Sequence, residues 1–216
     1  SSLKSVGIPN TTISIGLQSF REAVNLRTIT FQPGSTLESI GEGSFEDCRQ
    51  LKYINFPDSL VVIGEGAFYY SGLKNVAIPD SVRIIKTNAF ALCVELERVD
   101  FGNGLREIHD AAFLQTNVLS YVVPASVRSI GTGAFMLNAK LTKFVIESKN
   151  ITFGKFIFKH SSINSDGIYY AKDMETFAWS IAPDQDTLNH VNVNCTGSIC
   201  GCNDGTGNTA QEPYAS

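Results

Sequence analysis

The sequence predicts a repeat solenoid of about seven units of 22–25 residues, with a parallel β-sheet on one face and short strands and single helical turns on the other. Three apolar columns carry this prediction. The first is Phe20, Phe45, Phe68, Phe90, Phe113, Phe135 and Phe158, in steps of 25, 23, 22, 23, 22 and 23 residues. The second, mostly Leu, is Leu3, Leu26, Leu51, Leu73, Leu96, Val118, Leu141 and Ile163. The third is Ile15, Ile40, Ile63, Ile85, Ile108, Ile130 and Phe153. Columns that keep step in this way describe stacked copies of one supersecondary unit, because a single unit cannot bury its apolar face alone.

Each unit opens with the pattern L-x-x-I-x-I-P, as in Leu51-Ile54-Phe56-Pro57 and Leu73-Val76-Ile78-Pro79. The alternation of apolar and polar residues predicts a short half-buried strand. Proline ends it, because proline cannot donate to a continuing ladder. A turn such as Asp58-Ser59 or Asp80-Ser81 follows, and then a second extended piece carrying Leu60 and Ile63, or Val82 and Ile85. Next comes a glycine corner: Gly41-Glu42-Gly43, Gly64-Glu65-Gly66, Gly131-Thr132-Gly133. Glycine suits a corner that needs positive φ, and Asn88 replaces the second glycine as the next best residue for that conformation. Ala67-Phe68 or Ala89-Phe90 then starts about one helical turn, with the phenylalanine pointing inward.

The chain carries a formal charge of −4 with 18% charged residues, which predicts no general affinity for nucleic acid or anionic membrane. No apolar run approaches the roughly 18–20 residues of a membrane span. Cys48 and Cys93 both lie three residues after the anchoring Phe, two repeats apart, with Ser71 in the slot between. At about 5 Å per rung they are beyond disulfide reach and read as buried thiols. Cys195, Cys200 and Cys202 crowd the tail; one bond among them is the expectation in a secreted protein, leaving an odd thiol.

These units resemble the BspA-type leucine-rich repeat of microbial surface proteins, which read I-P-x-S-V-x-x-I-G-x-G-A-F-x-x-C-x-x-L. Residues 57–73, 79–96 and 124–141 match best, and the resemblance covers about residues 3–163. It implies a curved leucine-rich-repeat solenoid that is extracellular and non-enzymatic, with adhesion among the family's roles. The expected organisation is a solenoid over 1–163, a strand-rich closing segment over 164–193 and a Cys-containing polar tail over 194–216. Asp166-Gly167-Ile168-Tyr169-Tyr170-Ala171-Lys172-Asp173 looks like a hairpin that interrupts related arrays, and Trp179 lies just beyond it.

No catalytic constellation stands out. The G-x-G pieces recur as corners without a following G-K-[ST], which argues against a nucleotide site. His109, His160 and His190 are scattered. His190 with the tail cysteines lacks a C-x-x-C pair for zinc, and Asn203-Asp204-Gly205 with Glu212 does not fit an EF-hand loop. No cofactor or metal is expected. The candidate binding face is the sheet, through Arg27, Lys52, Tyr53, Lys74, Asn75, Arg98 and Lys143, a partly basic stripe suited to an acidic protein or glycan ligand. Three N-x-[ST] sequons, at Asn10, Asn150 and Asn194, lie in the less regular ends or the tail and are candidate glycosylation sites in a eukaryotic secretory pathway.

Two functional expectations follow. The first is an extracellular, non-catalytic repeat scaffold for protein interaction or adhesion at a cell surface. The alternative is a structural subunit assembling head to tail into an extracellular, glycosylated filament. The chain opens on a repeat strand with no room for a polar N-terminal cap, so Leu3, Val6 and Ile8 form a candidate assembly edge. A fragment lacking upstream repeats would look the same.

Overall fold

The structure, a computed structural model, describes residues 2–163 and 168–170. Trp179, the tail cysteines and all of the closing segment except residues 168–170 lie outside the described residues.

The chain winds as a parallel β-solenoid in which each of the seven units contributes a two-residue strand and all but the third an opening strand as well. The opening pattern L-x-x-I-x-I forms β1 (Ser5–Ile8), β3 (Thr28–Phe31), β6 (Asn75–Ala77), β8 (Arg98–Asp100), β10 (Ser120–Val123) and β12 (Lys143–Ile146), with β14 (Ile168–Tyr170) after them. The second piece forms two-residue strands: β2 (Ser14–Ile15), β4 (Ser39–Ile40), β5 (Val62–Ile63), β7 (Ile84–Ile85), β9 (Glu107–Ile108), β11 (Ser129–Ile130) and β13 (Thr152–Phe153). All pairings are parallel.

The continuous sheet is the one made by the very short strands. It runs β2-β4-β5-β7-β9-β11-β13 through seven rungs. The face made by the opening strands falls into three pieces: β1–β3, β6–β8 and β10–β12–β14. A single bridge from Tyr53 to Asn75 ties the third unit to β6.

The corners are hydrogen-bonded turns rather than the expected helical turns. Two residues in each corner have positive φ, at two positions before and two after the phenylalanine. Around Phe45 these are Gly43 (φ 56°) and Asp47 (φ 58°); around Phe90 they are Asn88 (56°) and Leu92 (59°). A left-handed residue every fourth position cannot continue a right-handed helix. Alternate N–H groups instead reach the next rung: Gly43, Phe45 and Asp47 donate to the carbonyls of Glu65, Ala67 and Tyr69 at 2.8, 2.8 and 2.9 Å. Those between close tight turns, as Glu46 N–H does on Gly43 O at 3.1 Å.

The two glycines of a G-x-G corner do different jobs. The second supplies positive φ, at Gly43, Gly66 and Gly133. The first allows close approach of the neighbouring rung: a Cβ on Gly64 would sit 2.5 Å from Ile40 O.

The core follows the three columns. Phe45, Phe68, Phe90, Phe113 and Phe135 are fully buried. Their rings stack from Phe20 to Phe135 with centroids 5.2–5.6 Å apart and planes within 12° of parallel. That spacing matches the rise of about 4.8 Å per parallel rung, so the stack is set by the backbone ladder. Each such buried side chain contributes roughly 1.5–3 kcal/mol. Phe158 stacks more loosely, 6.4 Å and 29° from Phe135.

A polar column runs beside this spine, three residues after each Phe from Phe45 on. Cys48 Sγ donates to Phe20 O (3.2 Å) and Cys93 Sγ to Phe68 O (3.0 Å). Asn138 Nδ2 and Ser161 Oγ do the same for Phe113 O and Phe135 O, at 3.0 and 2.8 Å. Both cysteines are free and buried, as expected, and each adds a second hydrogen bond to a carbonyl that already accepts a backbone N–H, from Ala23 at Phe20 O and from Ser71 at Phe68 O. Burial pushes the Cys48 thiol up to about 12 and the Cys93 thiol up to about 11, so both stay neutral. Tyr121 stands where the first five units have Ile or Val and the seventh has Phe144; it is fully buried, its hydroxyl bonds Thr116 Oγ1 at 2.9 Å, and burial raises its pKa.

Candidate functional site

The interrupted face carries the residues singled out for binding. In each opening strand the column Leu and the third and fifth residues after it point inward, which leaves the first, second and fourth outward. On this basis Leu51, Ile54 and Phe56 are buried, while Lys52 is half-buried and Tyr53 and Asn55 are exposed.

Pairing brings five of the predicted residues together. Tyr53 lies beside Asn75 through the isolated bridge, and Asn75 pairs with Arg98 in the β6–β8 register. Lys74 N–H donates to Lys52 O at 3.0 Å, so Lys52 and Lys74 occupy adjacent rungs one residue earlier. Arg27 is exposed beside Lys4, whose carbonyl takes its N–H, but no strand ladder joins β3 to the third unit. Lys143 is exposed opposite Ser120, beyond the second break.

The stripe is less cationic than the sequence suggests. Lys52 Nζ makes 2.7 and 2.8 Å contacts with the Glu95 carboxylate, and Arg98 Nε lies 2.9 Å from Asp100. Exposed pairs of this kind are worth only about 0.2–1 kcal/mol and can be exchanged for a ligand's groups. Lys74 and Arg27 make no ion pair among the described residues. Tyr53 presents a ring that is 61% exposed, a residue type that anchors interfaces because it offers a rigid apolar body with a polar tip.

Two outward features are not foreseen by this stripe. Leu119 (56% exposed) and Val122 (48%) make the β10 surface apolar. On the continuous sheet, Arg83, Arg106 and Arg128 occupy one outward position of three successive rungs. Their recurrence after the buried Val82, Leu105 and Val127 is visible in the sequence, but attention to the opening strands passes over it.

Among the other candidates, Asn10 and Asn150 are exposed. Asn10 sits in a turn, its N–H donated to Gln32 Oε1 at 3.2 Å and its amide only 3.4 Å from Pro33 O. The hydroxyl of Thr152, in the Asn150 sequon, donates to Arg128 O at 3.2 Å. His109 pairs with Glu107 at 3.0 Å and His160 is exposed in a corner. In the candidate assembly edge, Leu3 is 37% exposed, Val6 is half-buried and Ile8 is 6% exposed, because β1 packs its inner residues against the core. Asn194, Cys195, Cys200, Cys202 and His190, with the Asn203–Glu212 stretch, lie outside the described residues. Among the described residues no helix is long and apolar enough to cross a membrane.

A family model described as the BspA type leucine rich repeat region matches residues 1–71 and 61–178, in six copies. The chain is similar to a solved leucine rich cell surface protein from Faecalibacterium prausnitzii A2-165, with 30% identity and a TM-score of 0.61. That match covers 68% of this chain and 39% of the other, so the chain spans well under half of its relative's length. A leucine-rich repeat protein of T. pallidum matches at 22% identity and a TM-score of 0.46, over 76% of this chain and 63% of that one. One from Bacteroides ovatus ATCC 8483 matches at 22% identity and a TM-score of 0.40, over 73% and 52%. Comparison with curated proteins gives no match.

Proposed function

Because the chain belongs to the BspA-type leucine-rich-repeat family, we propose that it is an extracellular, non-catalytic scaffold that binds a protein or glycan ligand at a cell surface. The observation that carries this reading is the cluster of Lys52, Tyr53, Lys74, Asn75 and Arg98 on adjacent rungs of the interrupted face, with Tyr53 61% exposed on its first rung. A rigid apolar spine holds these side chains at fixed spacing, so little ordering entropy is lost on binding. The ligand is acidic, and its affinity falls with salt. Adhesion is the role that such a surface serves.

Glycosylation at Asn10, Asn150 and Asn194 belongs to the same reading where the source has a eukaryotic secretory pathway. Asn10 is the first choice, since its turn exposes it and its amide is only weakly held.

The experiment is a binding titration with a candidate surface ligand before and after Tyr53→Ala and Arg27→Glu with Lys52→Glu. Loss in both variants supports the face; unchanged affinity in both rejects it. Intact mass of the native protein equal to the bare polypeptide removes the glycosylation.

A further inference from the structure

The continuous sheet carries a second cationic row that the reading above does not use. The backbone N–H of Arg106 donates to Arg83 O at 2.9 Å, and that of Arg128 to Arg106 O at 2.7 Å. The three arginines are therefore in register on successive rungs, about 4.8 Å apart along the stack. Each follows a fully buried residue, Val82, Leu105 or Val127, which fixes the outward direction of its neighbour.

The row is built, not merely exposed. Arg83 Nη1 donates to Asp80 O at 2.6 Å and to Val82 O at 3.3 Å. A Cβ on Gly104 would lie 1.8 Å from Asp80 O and 1.9 Å from that nitrogen, so the glycine lets the turn backbone and the guanidinium it holds pack close. Arg106 and Arg128 are exposed and, among the described residues, engage no carboxylate. Nearby acids are already occupied: Glu107 by His109, Asp80 by the N–H of Asn103 (2.6 Å), Asp110 by the N–H of Thr132 (2.7 Å). Lys86 adds an exposed cation on the adjoining row. The carboxylates of Glu107, Asp80 and Asp110 lie near the row but, among the described residues, ion-pair with none of the three arginines.

We propose that Arg83, Arg106 and Arg128 bind a linear anionic polysaccharide through its carboxylate or sulfate groups. Guanidinium matches both anions with two parallel hydrogen bonds. A straight row at strand spacing suits a polymer whose charges recur along one edge. The flanking strand residues Ile84, Glu107 and Ser129 offer no aromatic ring on which a nucleic-acid base would stack.

The test is calorimetric titration of the full chain with heparin, with polygalacturonate, with neutral dextran and with a single-stranded oligonucleotide. Heparin alone assigns sulfate recognition, polygalacturonate alone carboxylate recognition, and both the shared chemistry. Binding weakens at least roughly tenfold between about 0.05 M and about 0.2 M salt. It also weakens at least roughly tenfold in Arg106→Glu with Arg128→Glu, and by a smaller factor in Arg106→Gln with Arg128→Gln, while thermal unfolding of the unliganded variants stays unchanged. Arg27→Glu with Lys52→Glu, on the other face, leaves it intact. The proposal is overturned if neither acidic polymer binds, if dextran or the oligonucleotide binds as well as they do, or if both faces' charge reversals weaken binding equally. Failure of the interrupted face alone would show in the Arg27 and Lys52 variant and leaves this row standing.

Discussion

The same repeat builds two parallel faces, yet one is continuous through seven rungs and the other falls into three pieces. The difference lies in where unit length varies. From the Ile column to the Phe column the distance is five residues in all seven units, from Ile15–Phe20 to Phe153–Phe158. This segment contains the two-residue strand, the corner and the stacked ring, and every rung of it is in register. Length drifts elsewhere. The distance from Phe to the next column residue is six residues at Leu51 and Leu96 but five at Leu73 and Val118. From Leu26 to Ile40 it is 14 residues, against 12 in the other units, with Pro33-Gly34 in the longer turn. The ladder is lost between β3 and the third unit, after that longer turn, and between β8 and β10, beside the short link to Val118. The short link to Ile163 still leads into a paired strand, so link length alone does not decide the outcome. The comparison teaches that the spine enforces a rigid register while the opening-strand face can vary its length and its side chains.

The harshest way to break this contrast is to change the length of the constant segment. Inserting one glycine between Thr87 and Asn88 moves Phe90 out of the stack and misaligns the ladder on both sides. A loss of at least about 3–5 kcal/mol is expected, as for loss of a buried aromatic. The same glycine inserted between Pro33 and Gly34, in an exposed turn with open space around it, costs under about 1 kcal/mol. Urea unfolding followed by circular dichroism compares the two; equal losses would refute the division between spine and face.

Truncation within the spine comes next. Phe90→Ala leaves a hole between Phe68 and Phe113, whose rings now lie 5.3 and 5.2 Å from it, and costs about 3–5 kcal/mol. Val99→Ala on the opening-strand face, 5% exposed in the native protein, costs about 1.5–3 kcal/mol. The ratio of the two urea midpoint shifts is the measurement.

A subtler pair separates the two glycine roles. Gly64→Ala drives a Cβ to 2.5 Å from Ile40 O, a backbone atom that cannot swing away, and costs about 2–3 kcal/mol. Gly66→Ala meets nothing nearer than Tyr69 Cβ at 3.8 Å and bears only positive φ, about 1–2 kcal/mol. Thermal unfolding at matched pH ranks them.

The smallest effect at neutral pH is the thiol pair. Both folded-state values are raised above the ordinary 9.0, so the unfolded chain releases these protons first. Their contribution is fully present below about pH 9 and is lost as pH rises toward 11 for Cys93 and 12 for Cys48. Cys48→Ser with Cys93→Ser keeps a donor, as Ser161 does in the same column, and flattens the alkaline limb of a stability–pH curve. An unchanged limb would assign the alkaline loss to other groups, of which buried Tyr121 is the first candidate.

Much of the fold was legible because it rests on side-chain type at fixed intervals. The Leu, Ile and Phe columns marked the core, and Gly43, Gly66, Gly133 and Asn88 marked one positive-φ position in each of their corners. The second positive-φ position was invisible, since Tyr70, Leu92, Gln115 and Leu137 are not residues chosen for that conformation. They adopt it because their N–H groups find carbonyls on the next rung. The candidate site was legible as outward positions and not as a charge distribution: Glu95 neutralises Lys52 across 43 residues of sequence.

By itself the sequence determined that the chain stacks as a solenoid, which residues face inward and which family of repeats it belongs to, because burial of a periodic apolar pattern has one economical solution. Only the tertiary structure decided that the corners are not helical and that the continuous sheet is the one made of two-residue strands. Each of these depends on which backbone groups and side chains meet across rungs 22–25 residues apart, and no local pattern encodes that meeting.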